Sequence, residues 1–114
     1  MNSVDTGRKA EKAASTYLEM RGYQVVERNW RRPRCEIDII AKKDDTVYFV
    51  EAKYRHNDEQ GGGLEAITPA KLKQMRYAAT SWLAETKWSG PSQLAAIEMT
   101  GPDFTVLSFL DDVF

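Results

Sequence analysis

The sequence predicts an α/β fold: a mixed central sheet of about five strands flanked by helices. Three observations carry this expectation. The elements run helix, three strands, helix, two strands, an order suited to a sheet covered by helices. Hydrophobic residues make up 42% of the chain, enough for a packed core. The 114 residues fit one domain, 1–114, with no internal repeat and no linker long enough to divide it.

In "GRKAEKAASTYLEMRG", Ala10, Ala13, Ala14, Tyr17 and Leu18 recur at helical spacing, and Gly22 is placed to stop the helix. "YQVVERNW" reads as a short strand, after which Pro33 breaks the chain. Glu36–Ala41 and Thr46–Arg55 read as a hairpin around "KKDD". "HNDEQGGG", residues 56–63, reads as a flexible loop suited to a lid. Thr68 is a ready N-cap and Pro69 suits the first helical position. Leu72, Met75, Ala79, Trp82 and Leu83 then mark one apolar helix face. "LAAIEM" and "FTVLSFL" close the chain as strands, joined either as a hairpin or by a longer connection.

Composition excludes several functions. No apolar run approaches ~18 residues, so no membrane span is expected. The start lacks the apolar segment of a signal peptide, and the expected compartment is the cytoplasm. Cys35 is the single cysteine, which excludes an internal disulfide and a multi-cysteine zinc site. Between opposed charges, its thiol has no clear push toward reactivity and reads as structural. His56 is the single histidine, a solvated loop residue before it is a general base. The glycine loop lacks the Lys-Ser/Thr of a phosphate-binding P-loop.

Charge is unevenly distributed. Residues 1–34 hold 8 Lys/Arg against 4 Asp/Glu, while the chain as a whole carries -1. The basic part peaks at "ERNWRRPR", where Trp30 lies among Arg28, Arg31, Arg32 and Arg34. Arginines hold phosphates and an aromatic ring stacks on bases, so this segment suits nucleic acid. The plainer reading is a solvated loop that keeps the protein soluble.

The hairpin raises the sharper question, because Glu36, Asp38, Glu51 and Lys53 interrupt its apolar runs. A two-residue turn at Asp44–Asp45 sets Asp38 opposite Glu51; a four-residue turn sets Glu36 there. Either register gathers Asp38, Glu51 and Lys53 on one face, while Ile37, Ile39 and Ala41 share the other. Clustered carboxylates stay ionised when a cation lies between them, and oxygen ligands favour Mg²⁺ or Mn²⁺. A divalent ion beside a lysine suits phosphodiester hydrolysis. The alternative is a wet edge hairpin in which Lys53 bridges the acids.

"EIDIIA" followed by "VYFVEAKYR" resembles the PD-(D/E)xK nuclease core, here Asp38 with Glu51-Ala52-Lys53. With "GRKAE..A..YLEMRGY", "RNWR", "EAITPAKLKQM" and a terminal Phe114, the chain resembles the bacterial YraN-like family, related to Holliday-junction resolvases. The resemblance implies a restriction-endonuclease-like fold and a metal-dependent nuclease site. Asp38 and Glu51 would be metal ligands, with the Ala52 carbonyl and Glu11 from the first helix completing the set. Lys53 would be the catalytic lysine and Glu36 a supporting acid. Lys71 and Gln74, at the start of the second helix, would contact the DNA backbone, with Lys73, Arg76 and Arg55 nearby. Cys35 stands where the family usually has glycine. The expected substrate is DNA, including branched or flapped forms, and symmetric junction cutting would need a homodimer. The rival expectation is a non-catalytic module that binds nucleic acid or a protein partner and retains the fold.

Overall fold

The computed structural model describes residues 3–55 and 67–113. The chain runs α1 (Ser3–Met20), β1 (Gln24–Arg32), β2 (Cys35–Lys43), β3 (Thr46–Arg55), α2 (Pro69–Thr86), β4 (Ser92–Thr100) and β5 (Thr105–Leu110). One five-stranded sheet has the spatial order β1-β2-β3-β4-β5. β1, β2 and β3 are antiparallel neighbours; β3 and β4 are parallel, with α2 in the crossover between them; β4 and β5 form an antiparallel hairpin. This is a mixed α/β sheet with a helix on each face, consistent with the restriction-endonuclease-like expectation. No described helix is long and apolar enough to cross a membrane.

Local chemistry fixes the helix ends. Thr68 Oγ1 accepts the Lys71 N–H at 3.1 Å, and Pro69 opens α2 where its missing N–H costs nothing. After α1, Gly22 takes φ 91, and the Tyr23 N–H donates back to the Leu18 carbonyl at 3.0 Å.

Each helix buries its apolar stripe on one sheet face. Ala10, Ala14 and Leu18 of α1 pack with Ile39, Ala41, Val50, Ala95, Ile97 and Met99. On the opposite face, Met75, Ala78, Ala79 and Trp82 of α2 pack with Ile37, Ile40, Val47 and Phe49. Phe49 and Trp82 meet edge to face, with ring centroids 5.6 Å apart. Burial on both faces explains why β2, β3 and β4 read as nearly continuous apolar runs.

The segment around Pro33 departs from the expected break. β1 continues to Arg32, which pairs with Cys35, so Pro33 and Arg34 form a tight turn and the arginine cluster is a hairpin rather than a loop. Period-two alternation then turns Trp30 inward, where it is 2% exposed in the α2-side core. Trp30 is therefore not a surface platform for a base. The strict alternation expected of β2 also fails, since Ile37 packs on the α2 face but Ile39 on the α1 face. The break falls at Asp38, opposite Asn29 of β1, whose φ is 55. His56 and the glycine loop lie outside the described residues.

Truncating a buried aromatic removes its packing and leaves a cavity. Trp30→Ala is expected to cost about 3–5 kcal/mol of stability, read from urea unfolding. A loss below about 1 kcal/mol would return Trp30 to the surface.

Candidate active site

β2 and β3 meet in a two-residue turn at Asp44–Asp45, with Lys43 opposite Thr46. Of the two registers open from sequence, this one directs Asp38 toward Glu51. The paired ladder reaches only Ile39↔Val50. Beyond it the Ala52 N–H donates to Asp38 Oδ2 at 2.8 Å, a side chain taking the place of a ladder carbonyl. A strand residue sends its N–H and C=O out on the same side, so the Ala52 carbonyl is directed along this edge as well.

Glu51 shares the α2 face with Val47 and Phe49, and there it meets Lys71, whose Nζ is 3.3 Å from Glu51 Oε1. Asp38 and Glu51 lie close enough for each to perturb the other's proton affinity. Burial pushes Glu51 up to about 7; Asp38 adds to the rise and Lys71 opposes it. Burial also raises Asp38, against the pull of the Ala52 N–H, Glu51 and Lys71. From the other helix, Glu11 is raised by burial first and by Asp38 second, while a hydrogen bond to Asn29 and the charges of Arg28 and Arg31 hold it down. α1 and α2 thus bring an acid and a lysine to the same sheet edge from opposite faces.

Other expected residues have different surroundings. Lys53 is one pleat beyond Glu51 and exposed; the ammonium that reaches Glu51 belongs to Lys71. Glu36 turns to Arg31 at 3.4 Å, and its carbonyl accepts from Gln74 Nε2 at 3.2 Å. Arg32 makes two bonds to Glu85, of 2.6 and 2.8 Å, and stacks over Trp30 at 4.5 Å. Arg55 departs most from the expected phosphate contact. Its side chain is 11% exposed and pairs with the buried Glu98 at 3.5 Å, so it is committed to the interior. Sequence reasoning passed over Glu98, although a lone glutamate in "LAAIEM" carries the same signal as Glu51. Arg31, Arg32, Arg34, Glu36, Lys71 and Gln74 line a groove of about 400 Å³ that reaches the acids through Lys71.

Whether the site suits a divalent cation turns on its donors. Among the described residues no three acid, histidine or cysteine side chains converge as a ready-made cage. Asp38 and Glu51 nevertheless supply two neighbouring carboxyl groups, the Ala52 carbonyl is directed to the same edge, and Glu11 is within electrostatic reach. An all-oxygen set whose acids are raised by burial fits Mg²⁺ or Mn²⁺.

The model of the uncharacterised protein family UPF0102 matches residues 10–106. A UPF0102 protein of Shewanella denitrificans is 38% identical over 98 residues, covering 86% of this chain and 91% of the relative. One from Chlorobium phaeobacteroides strain BS1 is 40% identical over 102 residues, covering 89% and 81% respectively. A third, from Beutenbergia cavernae, is 44% identical over 79 residues, covering 69% and 67%.

The pH dependence of the metal-free fold follows from Glu51. Its carboxyl binds a proton more tightly folded than unfolded, where its ordinary value is 4.5. Its stabilising contribution is therefore complete below 4.5 and lost as pH rises through about 7. In EDTA, Glu51→Gln is expected to flatten the fall in stability over this range and to gain about 1–3 kcal/mol at pH 8, measured by urea unfolding. Parallel wild-type and variant curves would contradict this.

Proposed function

We propose that this chain, which belongs to the uncharacterised protein family UPF0102, is a metal-dependent nuclease that hydrolyses phosphodiester bonds in DNA, including branched or flapped forms. One observation carries the reading: the largely buried Asp38–Glu51 pair, with Lys71 at Glu51, lies beside a groove lined by arginines. A carboxyl pair with excess negative charge next to a cationic groove suits a cation on one side and a phosphate on the other.

Asp38, Glu51, the Ala52 carbonyl and Glu11 would hold Mg²⁺ or Mn²⁺, which when bound supplies a Lewis acid and an acidified water. The remaining work falls to the chain. The Ala52 N–H fixes the Asp38 carboxylate and keeps one oxygen oriented. Arg31, Arg34 and Lys71 neutralise phosphate oxygens along the groove. Lys53, exposed one pleat past Glu51, is positioned to orient the attacking water or to meet charge developing on the phosphate. The Arg55–Glu98 pair stiffens the strand ends beneath these groups. Symmetric resolution of a junction requires two such sites, so that role implies a homodimer.

One observation favours a second reading. The cation at Glu51 is the chain's own Lys71, so a module that binds nucleic acid without cutting would keep the same contact.

The deciding experiment uses labelled single-stranded, duplex, flap and four-way-junction DNA with Mg²⁺ or Mn²⁺. Wild type is expected to cut, while Asp38→Ala and Glu51→Ala, purified in parallel, lose at least about a hundredfold in rate and remain folded. Binding without cutting by all three proteins would favour the second reading.

A further inference from the structure

The basic groove does not end beside the acids. Arg34 and Gln74, which line it, also wall a second hollow of about 290 Å³ completed by Ala70, Lys73 and Tyr77. The two hollows thus adjoin at Arg34 and Gln74 beside α2. Ala70, Lys73, Gln74 and Tyr77 stand at i, i+3, i+4 and i+7, a single stripe on the outer face of the helix. Tyr77 is 55% exposed. A lone exposed tyrosine needs no explanation, but this one shares its hollow with Arg34 and Lys73, and Arg34 and Gln74 also line the groove that contains Lys71.

Arg34 itself is held at a cost. It is the second residue of the Pro33–Arg34 turn and has φ 73, a position that glycine occupies without strain. An L-residue kept in such a conformation beside a groove directs attention to what its side chain does there. The guanidinium lines both hollows.

We propose that this trough is a track for an unpaired stretch of nucleic acid leading to Asp38 and Glu51. Tyr77 is the base-stacking surface, and Arg34 and Lys73 neutralise the backbone. A duplex keeps its bases stacked on one another and offers none to Tyr77, whereas an unpaired strand presents its ring faces. The sequence assigned stacking to Trp30, which is buried; Tyr77 is an exposed ring that shares a hollow with Arg34 of that cluster. Six residues separate Lys71 from Tyr77, about 9 Å along the helix. At roughly 3.4 Å per stacked nucleotide, that spans two or three nucleotides. This inference deepens the nuclease reading to a substrate class and rests on that reading only for the direction of the track.

The test is binding rather than cutting. Fluorescence anisotropy would follow a labelled 20-nucleotide oligo-dT and a duplex of equal length in EDTA, for wild type, Tyr77→Ala, Tyr77→Phe and Arg34→Gly. Tyr77→Ala should weaken oligo-dT binding about tenfold with the salt slope unchanged, and Tyr77→Phe should retain wild-type affinity. Duplex affinity should not change with either tyrosine variant. Arg34→Gly should lower the salt slope by about one while the fold becomes more stable to urea. Unchanged oligo-dT binding by Tyr77→Ala, or equal losses for oligo-dT and duplex, would overturn the track. If wild type still cuts in that case, the nuclease reading survives the failure. If the tyrosine variants behave as expected but no DNA is cut, the track survives and the nuclease reading falls.

Discussion

The hydrogen bond from the Ala52 N–H to Asp38 Oδ2 is the contact on which the rest of the site depends. In a regular hairpin that amide would be matched by a β2 carbonyl. Here the backbone ladder has stopped at Ile39↔Val50, and a carboxylate supplies the acceptor. A buried N–H left without a partner would cost about 1–3 kcal/mol, so strand separation is tolerable because Asp38 compensates for it. The exchange also explains the broken alternation. Once β2 leaves the ladder it can rotate, and Ile37 joins the α2-side core while Ile39 stays on the α1 side. The same separation uncovers one end of Glu51.

Two acids on adjacent parallel strands have different charge surroundings. Among the described residues Glu98 pairs with Arg55, with both side chains almost fully enclosed, so the pair's charge is balanced within the interior. Among the described residues Glu51 pairs with Lys71, which also acts on Asp38 and remains 30% exposed. Two carboxyl groups against one ammonium leave an imbalance that a proton or a metal ion must correct. Burial makes the imbalance costly, which is why Glu51 is raised to about 7. The two acids therefore differ in charge balance and in the exposure of their cation more than in their own burial.

Much of this was legible in the sequence because local patterns and tertiary packing agree. The helix stripes, the Thr68 cap, the Gly22 stop and the acid pair follow from periodicity and capping chemistry. The turn length was not fixed by pattern, since "KKDD" suits two registers. Trp30 was misplaced because Pro33 read as a break rather than a turn, and a strand extended to Arg32 gives Trp30 an inward face. Arg55 was misplaced because its partner, Glu98, lies 43 residues away on a strand paired only through a crossover. The side chain taken by Asp38 in place of a ladder bond has no signature in alternation at all.

The weak net charge of the chain is compatible with a cationic groove once individual pairings are considered. Glu85 neutralises Arg32 and Glu36 partly neutralises Arg31, both at the hairpin edge. Those acids lower the bulk attraction to polyanions while fixing where the guanidinium groups point. Arg34, at the turn, has no acid within salt-bridge distance among the described residues. Long-range attraction is thereby exchanged for placement, and charge is concentrated at one edge rather than spread over the surface. For the nucleic-acid binding proposed above, this arrangement offers few phosphate contacts and would place recognition in the shape of the groove and the position of the acids more than in overall charge.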